Sequence, residues 1–294
     1  MESLEGHAVP VRLRGHECPE HPPIASAART PPAAGRLDTS RAPRDTCPVS
    51  TVVRLSEARK ADLRCALCPI RDRAVCAYSG PEELKLLEVI KSYRTYQPGE
   101  EIAAMGEETA HIGSVVQGTV SLSRLMADGR RQMVGLLFPG DFVGRIMLPT
   151  APYDAVAVDE VTLCLFERRR FERLLAESPD LRRRLLEMTL DELDAAREWM
   201  VVLGRKTARE KLASFLMILV RRAAIATGGE ARDGLRIALP LTREAMADYL
   251  GLTIETVSRQ IGALRRDGLI TLEDARHLVV HSVAALREAA GDDA

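Results

Sequence analysis

At 294 residues the chain is long enough for about two domains of roughly 150 residues, and 46% hydrophobic with 28% charged residues describes a globular protein, not a disordered one. Basic and acidic residues nearly cancel, 41 against 42, so bulk charge does not mark a nucleic-acid binder, although a local patch can hide beneath it. No run approaches the roughly 18 apolar residues of a membrane span.

The N-terminus, MESLEGHAVPVRLRGHECPEHPP, lacks the apolar core of a secretion signal. A cytoplasmic location with no membrane partner is therefore expected, and thiols there stay reduced. The six cysteines read as ligands, reactive groups or core residues rather than a disulfide framework. Residues 1–60, which include Cys18 and Cys47, carry His, Pro, Arg and small residues without sustained periodicity. They read as a disordered N-terminal extension, with a helical stretch beginning near Ser56.

The segment CALCPIRDRAVC places Cys65, Cys68 and Cys76 with two and then seven intervening residues. Three thiolates are one ligand short of tetrahedral zinc and one short of a [4Fe-4S] cluster, which takes four. His111 and Cys47 are candidates for zinc. A cluster can take its fourth thiolate from far away in sequence, and Cys164, in the apolar strand VTLCLFE, is the candidate, although a cysteine in such a strand is more commonly a buried core thiol.

From about Ser92 to Glu167, short Val- and Leu-rich runs alternate with the turn signals Pro98-Gly99, Asp128-Gly129 and Pro139-Gly140-Asp141. Seven or eight short strands at this spacing predict a β-roll or jelly roll, so residues 61–177 are read as the Cys loop plus β-roll. Ser178 and Pro179, at N-cap and N1, open a helix over 178–205. Within it Leu186, Thr189, Leu193, Ala196, Met200 and Leu203 alternate spacings of three and four, a coiled-coil-like seam, while Leu185, Met188 and Trp199 offer a second apolar face. A helix apolar on two sides suits one that packs on its own domain and on a partner, which points to a homodimer.

Residues 206–294 form a last block: a helix, the short strand LRIAL, two further helices and a hairpin from ITLED to HLVVH. In LTREAMADYLGLTIETVSRQIGALRRDGLI, Thr242 caps a helix ending at Leu250, and Gly251 suits the positive φ of a tight turn. Thr253 caps a second helix that ends before Gly268. Helix, Gly-containing turn, helix is the helix-turn-helix pattern, and the hairpin reads as a wing. On the second helix Glu255, Ser258 and Arg259 share a face. Arg259 can donate twice to guanine, Glu255 can accept from cytosine and Ser258 can do either. Arg265 and Arg266 suit phosphates. The bland alternative is a surface salt bridge between Glu255 and Arg259.

This order of parts resembles the Crp/Fnr family of bacterial transcription regulators over residues 62–285, and IETVSRQIGAL is similar to its Fnr-type Glu-x-x-Ser-Arg signature. The seven residues between Cys68 and Cys76 make a longer loop than in the enteric Fnr proteins, similar instead to the FnrN/FnrL-like branch. The resemblance implies an α+β chain: a cyclic-nucleotide-binding-like β-roll (jelly roll), a long dimerisation helix and a C-terminal winged helix-turn-helix. It further implies an oxygen-labile [4Fe-4S] cluster on Cys65, Cys68, Cys76 and Cys164, leaving Cys18 and Cys47 as non-ligands. A homodimer would then bind double-stranded DNA as an inverted repeat of TTGAT-type half-sites, and activation would involve RNA polymerase.

Cyclic-nucleotide sensing is not expected, because Gly144 is followed by Arg145 rather than Glu and no Arg-Ser or Arg-Thr pair follows. The alternative is a Crp-like regulator with a structural zinc clip. No Gly-rich phosphate loop, nucleophile–base pair or thioredoxin-like βαβ context suggests an enzyme.

Overall fold

The computed structural model describes residues 64–292, Arg130 excepted. The expectations for residues 1–60, including Cys18, Cys47 and the stretch from Ser56, lie outside the described residues. Among the described residues no helix is long and apolar enough to cross a membrane.

After a short 3-10 turn at Cys65–Leu67 and a compact loop, helix α1 (Pro81–Ile90) leads into eight strands: β1 (Lys91–Tyr96), β2 (Glu101–Ala103), β3 (His111–Gln117), β4 (Val120–Leu125), β5 (Arg131–Leu137), β6 (Phe142–Val143), β7 (Asp154–Ala157) and β8 (Val161–Glu167). They form two antiparallel sheets, ordered β1-β8-β3-β6 and β2-β7-β4-β5, which makes the expected β-roll. One apolar core, with Val115, Val120, Leu137, Val161, Leu163 and Leu165, fills the roll.

A second core lies on the outer side of the first sheet. Successive strand side chains point to opposite faces, so β8 sends Leu163 and Leu165 into the roll, while Cys164 and Phe166 join the second core. There they meet Ile70, Ala74 and Val75 of the loop, Leu87 of α1, Phe171 and Leu174 of α2 (Arg168–Glu177), and Leu181. Because β8 is covered on both sides, its sequence is a continuous apolar run without alternation.

The long helix α3 (Pro179–Arg205) begins as expected: the Ser178 hydroxyl accepts from Leu181 N–H and Pro179 occupies the first turn. Its second apolar face is split between two cores, Leu185 and Met188 packing beside the loop and Trp199 against the C-terminal block.

That block comprises α4 (Ala208–Ala226), β9 (Leu235–Ala238), α5 (Arg243–Leu250), α6 (Ile254–Arg266), β10 (Ile270–Leu272), β11 (His277–Val280) and α7 (Val283–Ala289). Thr207, Thr242, Thr253 and Ser282 each cap the following helix with a side-chain oxygen. Gly251 adopts φ 62° and Gly268 φ 73°, the left-handed conformation that ends each of the two paired helices. The strand LRIA joins the wing, giving a three-stranded sheet ordered β10-β11-β9. The core of the block also takes in Met133 of β5 and Phe138 of the following turn, so the C-terminal block rests on the β-roll. Helices α1, α2 and α7 went unread in the sequence because each is ten residues or shorter and lies beside stronger patterns.

Candidate functional site

The loop carrying Cys65, Cys68 and Cys76 is closed by its own backbone and by one arginine. Ile70 is buried, and its carbonyl accepts from Ala74 N–H at 2.8 Å. The Arg71 guanidinium donates to the carbonyls of Cys76 (2.5 Å), Ala77 (2.6 Å) and Ser79 (2.6 Å), pulling the end of the loop back onto its start. Cys65 N–H donates to Glu88 Oε1 at 2.6 Å, tying the first cysteine to α1, and Lys91 Nζ lies 3.6 Å from Cys65 Sγ.

Cys164 reaches the same place from β8. Its register partners are Tyr93 on β1 and Ser114 on β3. Cys65, Cys68, Cys76 and Cys164 all line one small cavity of about 20 Å³, shared with Tyr93 and Ser114 among others. Cys65, Cys76 and Cys164 are buried and Cys68 half-buried, and all four are free thiols. His111, the alternative fourth ligand, is exposed at the start of β3, opposite Glu167, and does not line the cavity.

Burial raises the pKa of all four thiols, Cys76 to about 11, and those of Cys65, Cys76 and Cys164 are raised further by the negative charge that neighbouring cysteines would carry. Four thiolates so close together in an apolar setting require a positive centre among them. Among the described residues no three His, Cys, Asp or Glu side chains are grouped tightly enough to hold a single metal ion. The four thiols line one cavity, whereas tetrahedral zinc needs every sulfur about 2.3 Å from one centre. Two hydroxyls also face the cavity. Tyr93 is in hydrogen-bond contact with Cys164, and the buried Ser114 Oγ has no partner. A group bearing sulfur acceptors would satisfy Ser114, so the donor set fits a four-cysteine cluster.

The candidate nucleic-acid face lies at the other end of the chain. Thr253, Glu255, Ser258, Arg259, Arg265 and Arg266 are all exposed on or beside α6, whose opposite face buries Val257, Ile261 and Leu264. The surface salt bridge does not form. Arg259 Nη2 donates to Thr256 Oγ1 at 3.3 Å, and the Glu255 carboxyl is held below its usual range chiefly by its own backbone N–H and by Thr253. Both side chains are therefore left facing outward, at the N-terminal half of the helix.

The seam on α3 is an open apolar stripe: Leu186 is 61% exposed, Leu193 44% and Met200 72%, with Ala196 also exposed and Leu203 half-buried. Leu190, 50% exposed, belongs to the same stripe and was missed. The neighbouring Thr189 instead donates its hydroxyl to the Leu185 carbonyl.

Sequence reasoning also missed Arg168. Its buried guanidinium donates to the Thr109 carbonyl at 3.0 Å and the Pro149 carbonyl at 3.3 Å, and also to the carbonyls of Arg145 and Leu148 and the Thr109 hydroxyl. It clasps the turn after Gly144, in which Met147 adopts φ 66° and donates its N–H to Glu172 at 3.0 Å. No periodicity or motif distinguishes Arg168 from its neighbours Arg169 and Arg170.

Comparison with known proteins agrees with this architecture. The profile of the cyclic nucleotide-binding domain matches residues 93–178, and that of the Crp-like helix-turn-helix domain matches residues 210–289. The transcriptional activator protein FnrL of Cereibacter sphaeroides is 56% identical over 230 residues, covering 78% of this chain and 93% of that protein. The nitrogen fixation regulation protein FixK of Bradyrhizobium diazoefficiens is 39% identical over 208 residues, covering 71% and 86%. The structure of FixK2 from Bradyrhizobium japonicum superposes with a TM-score of 0.62 at 34% identity, covering 70% of this chain and 98% of that one. With a β-roll, a long helix and an exposed recognition helix in the order these relatives share, the chain belongs to the Crp/Fnr family of transcription regulators and is a DNA-binding protein, not an enzyme.

Proposed function

We propose that the chain is an oxygen-responsive transcriptional activator whose four thiols, Cys65, Cys68, Cys76 and Cys164, hold a [4Fe-4S] cluster. In that state it binds, as a homodimer, an inverted repeat of TTGAT-type half-sites and acts on RNA polymerase. The observation that carries the reading is the convergence of three loop cysteines and one strand cysteine, 88 positions from the nearest of them, on a single buried cavity. The reading places the protein in the cytoplasm.

A bound four-iron cluster supplies the oxygen-reactive chemistry. The chain's own residues supply the rest. Arg71 keeps the loop closed, Ser114 and Tyr93 present hydroxyls to the sulfurs, and the loop lies against the first turns of α3, beside Leu181, Leu185 and Met188. A loop held to Cys164 braces the start of α3, and a loop released from Cys164 leaves that support. The exposed stripe from Leu186 to Met200 supports pairing with a second copy through α3, and pairing sets two α6 helices at the fixed spacing an inverted repeat demands. The turn after Gly144 has no acidic residue and its carbonyls are taken by Arg168, which supports a signal other than a cyclic nucleotide.

Iron and acid-labile sulfide determination on protein purified without air tests the proposal. Four irons and four sulfides per chain are expected, with tighter operator binding than after exposure to air. One zinc and no sulfide would replace it with the structural clip.

A further inference from the structure

The thiol loop touches more than the thiol site, and three separate elements converge on its residue Arg73. From α3, Arg184 donates to the backbone carbonyls of Arg73 (2.7 Å) and Ala74 (3.4 Å). From the β-roll, the turn at Gly140, with φ 103°, lies against the Arg73 side chain, so close that a Cβ there would be 2.9 Å from Arg73 Cγ. From the DNA-binding block, the carbonyl of Ile225 in the last turn of α4 accepts from Arg73 Nη1 at 3.4 Å. Carbonyls at a helix C-terminus carry the negative end of the helix dipole and favour a cation. The Arg73 Nε is buried without a partner, so packing as well as hydrogen bonding holds this side chain in place.

A second strap runs beside it. Arg222, one turn earlier on α4, pairs with Asp141 at 2.9 Å and lies over the Phe138 ring at 5.0 Å. Helix α4 shares its core with the recognition helix, Leu212, Phe215 and Leu219 packing in the same cluster as Val257, Ile261 and Leu264. Close-packed helices of this kind move as one body.

We infer that Arg73 is a positioning residue for DNA binding. It fastens the thiol loop directly to the end of α4, so the position of the loop sets the orientation of the recognition helix by a route separate from the dimer helix. The Arg222–Asp141 pair ties the same helix to the β-roll turn whatever the loop does, so the loop biases the block without releasing it entirely. The inference rests on the proposed sensing role only for what moves the loop. An operator binds two recognition helices at fixed spacing, so a block that has lost one strap must be ordered on binding and binds more weakly.

Amide hydrogen exchange on the full chain tests this with Arg73→Met, which keeps an apolar stem against Gly140 and removes the donors, and with Arg73→Lys, which retains one donor site. In Arg73→Met, exchange in the last two turns of α4 is expected to rise by about threefold to tenfold. Operator affinity is expected to fall by a similar factor, with the dimer fraction in sedimentation unchanged. Arg73→Lys is expected to recover part of the protection. Equal exchange in Arg73→Met and the parent protein, or a loss of operator affinity explained wholly by loss of dimer, would overturn the inference. Both forms are measured with and without bound iron. A protein that takes up no iron yet shows the exchange difference defeats the cluster reading alone, whereas a fully loaded protein without the difference defeats this inference alone.

Discussion

Gly113 sits so tightly against Cys164 that a Cβ at Gly113 would lie 2.1 Å from the Cys164 carbonyl oxygen. The two are on the adjacent strands β3 and β8, where Gly113 pairs with Leu165 and Ser114 with Cys164. Only the absence of a side chain lets β3 approach the segment that carries the fourth thiol. Gly113→Ala is therefore expected to push the backbone at Cys164 outward, costing about 1–3 kcal/mol of stability and lowering the iron content of protein prepared without air. Chemical denaturation and iron determination on the same preparation check both effects. A variant of unchanged stability and iron content would show that the strands can separate at no cost.

Replacing the thiol itself separates ligation from folding. Cys164→Ser exchanges one atom at a buried position on β8, so the fold should survive with a loss of about 1 kcal/mol. The full complement of iron and sulfide should not survive, because four cysteines are needed and His111 lies too far along β3 to substitute. Anaerobic Cys164→Ser protein that retained four irons would exclude Cys164 as a ligand.

The α3 stripe is exposed in the single chain, so charging it should affect association and little else. Leu193→Asp is expected to convert the dimer to monomer in sedimentation equilibrium while changing the stability of the isolated chain by about 0.5 kcal/mol or less. Leu190→Asp should behave in the same way, because Leu190 lies four residues after Leu186 and three before Leu193 and is 50% exposed.

On the proposed DNA face the two kinds of arginine should respond differently. Arg259→Ala is expected to cost about 1–3 kcal/mol against the preferred operator and to relax discrimination at one base pair. Arg265→Ala should weaken binding to all sequences alike and reduce the slope of log affinity against log salt by about 1. Titrations of preferred and scrambled operators at several salt concentrations distinguish the two patterns.

Arg168 makes a structural prediction with a functional edge. Arg168→Met keeps much of the volume but strands the carbonyls of Thr109, Arg145, Leu148 and Pro149, so a loss of about 2–4 kcal/mol is expected in thermal or denaturant unfolding. If the clasp also keeps the turn after Gly144 closed, local amide exchange at residues 145–149 should rise ahead of global unfolding.

What the sequence by itself determined was whatever depends on near neighbours. Thr242, Gly251, Thr253 and Gly268 mark the two paired helices within a residue, because a cap or a left-handed turn is satisfied by groups three or four positions away. Ser178 and Pro179 mark the start of α3 for the same reason. The outward face of Glu255, Ser258 and Arg259 follows from helix periodicity alone.

The tertiary structure decided everything that depends on strand register and on side chains reaching distant backbone. Whether Cys164 faces the interior of the roll or the thiol loop turns on a two-residue period within a run apolar on both faces, and only the pairing of β8 with β1 and β3 resolves it. Tyr93 and Ser114 join the site by that same pairing. Arg73, Arg168 and Arg184 act on backbone carbonyls 152, 59 and 111 positions away, and a carbonyl is present at every residue, so no pattern of side chains can announce the partner.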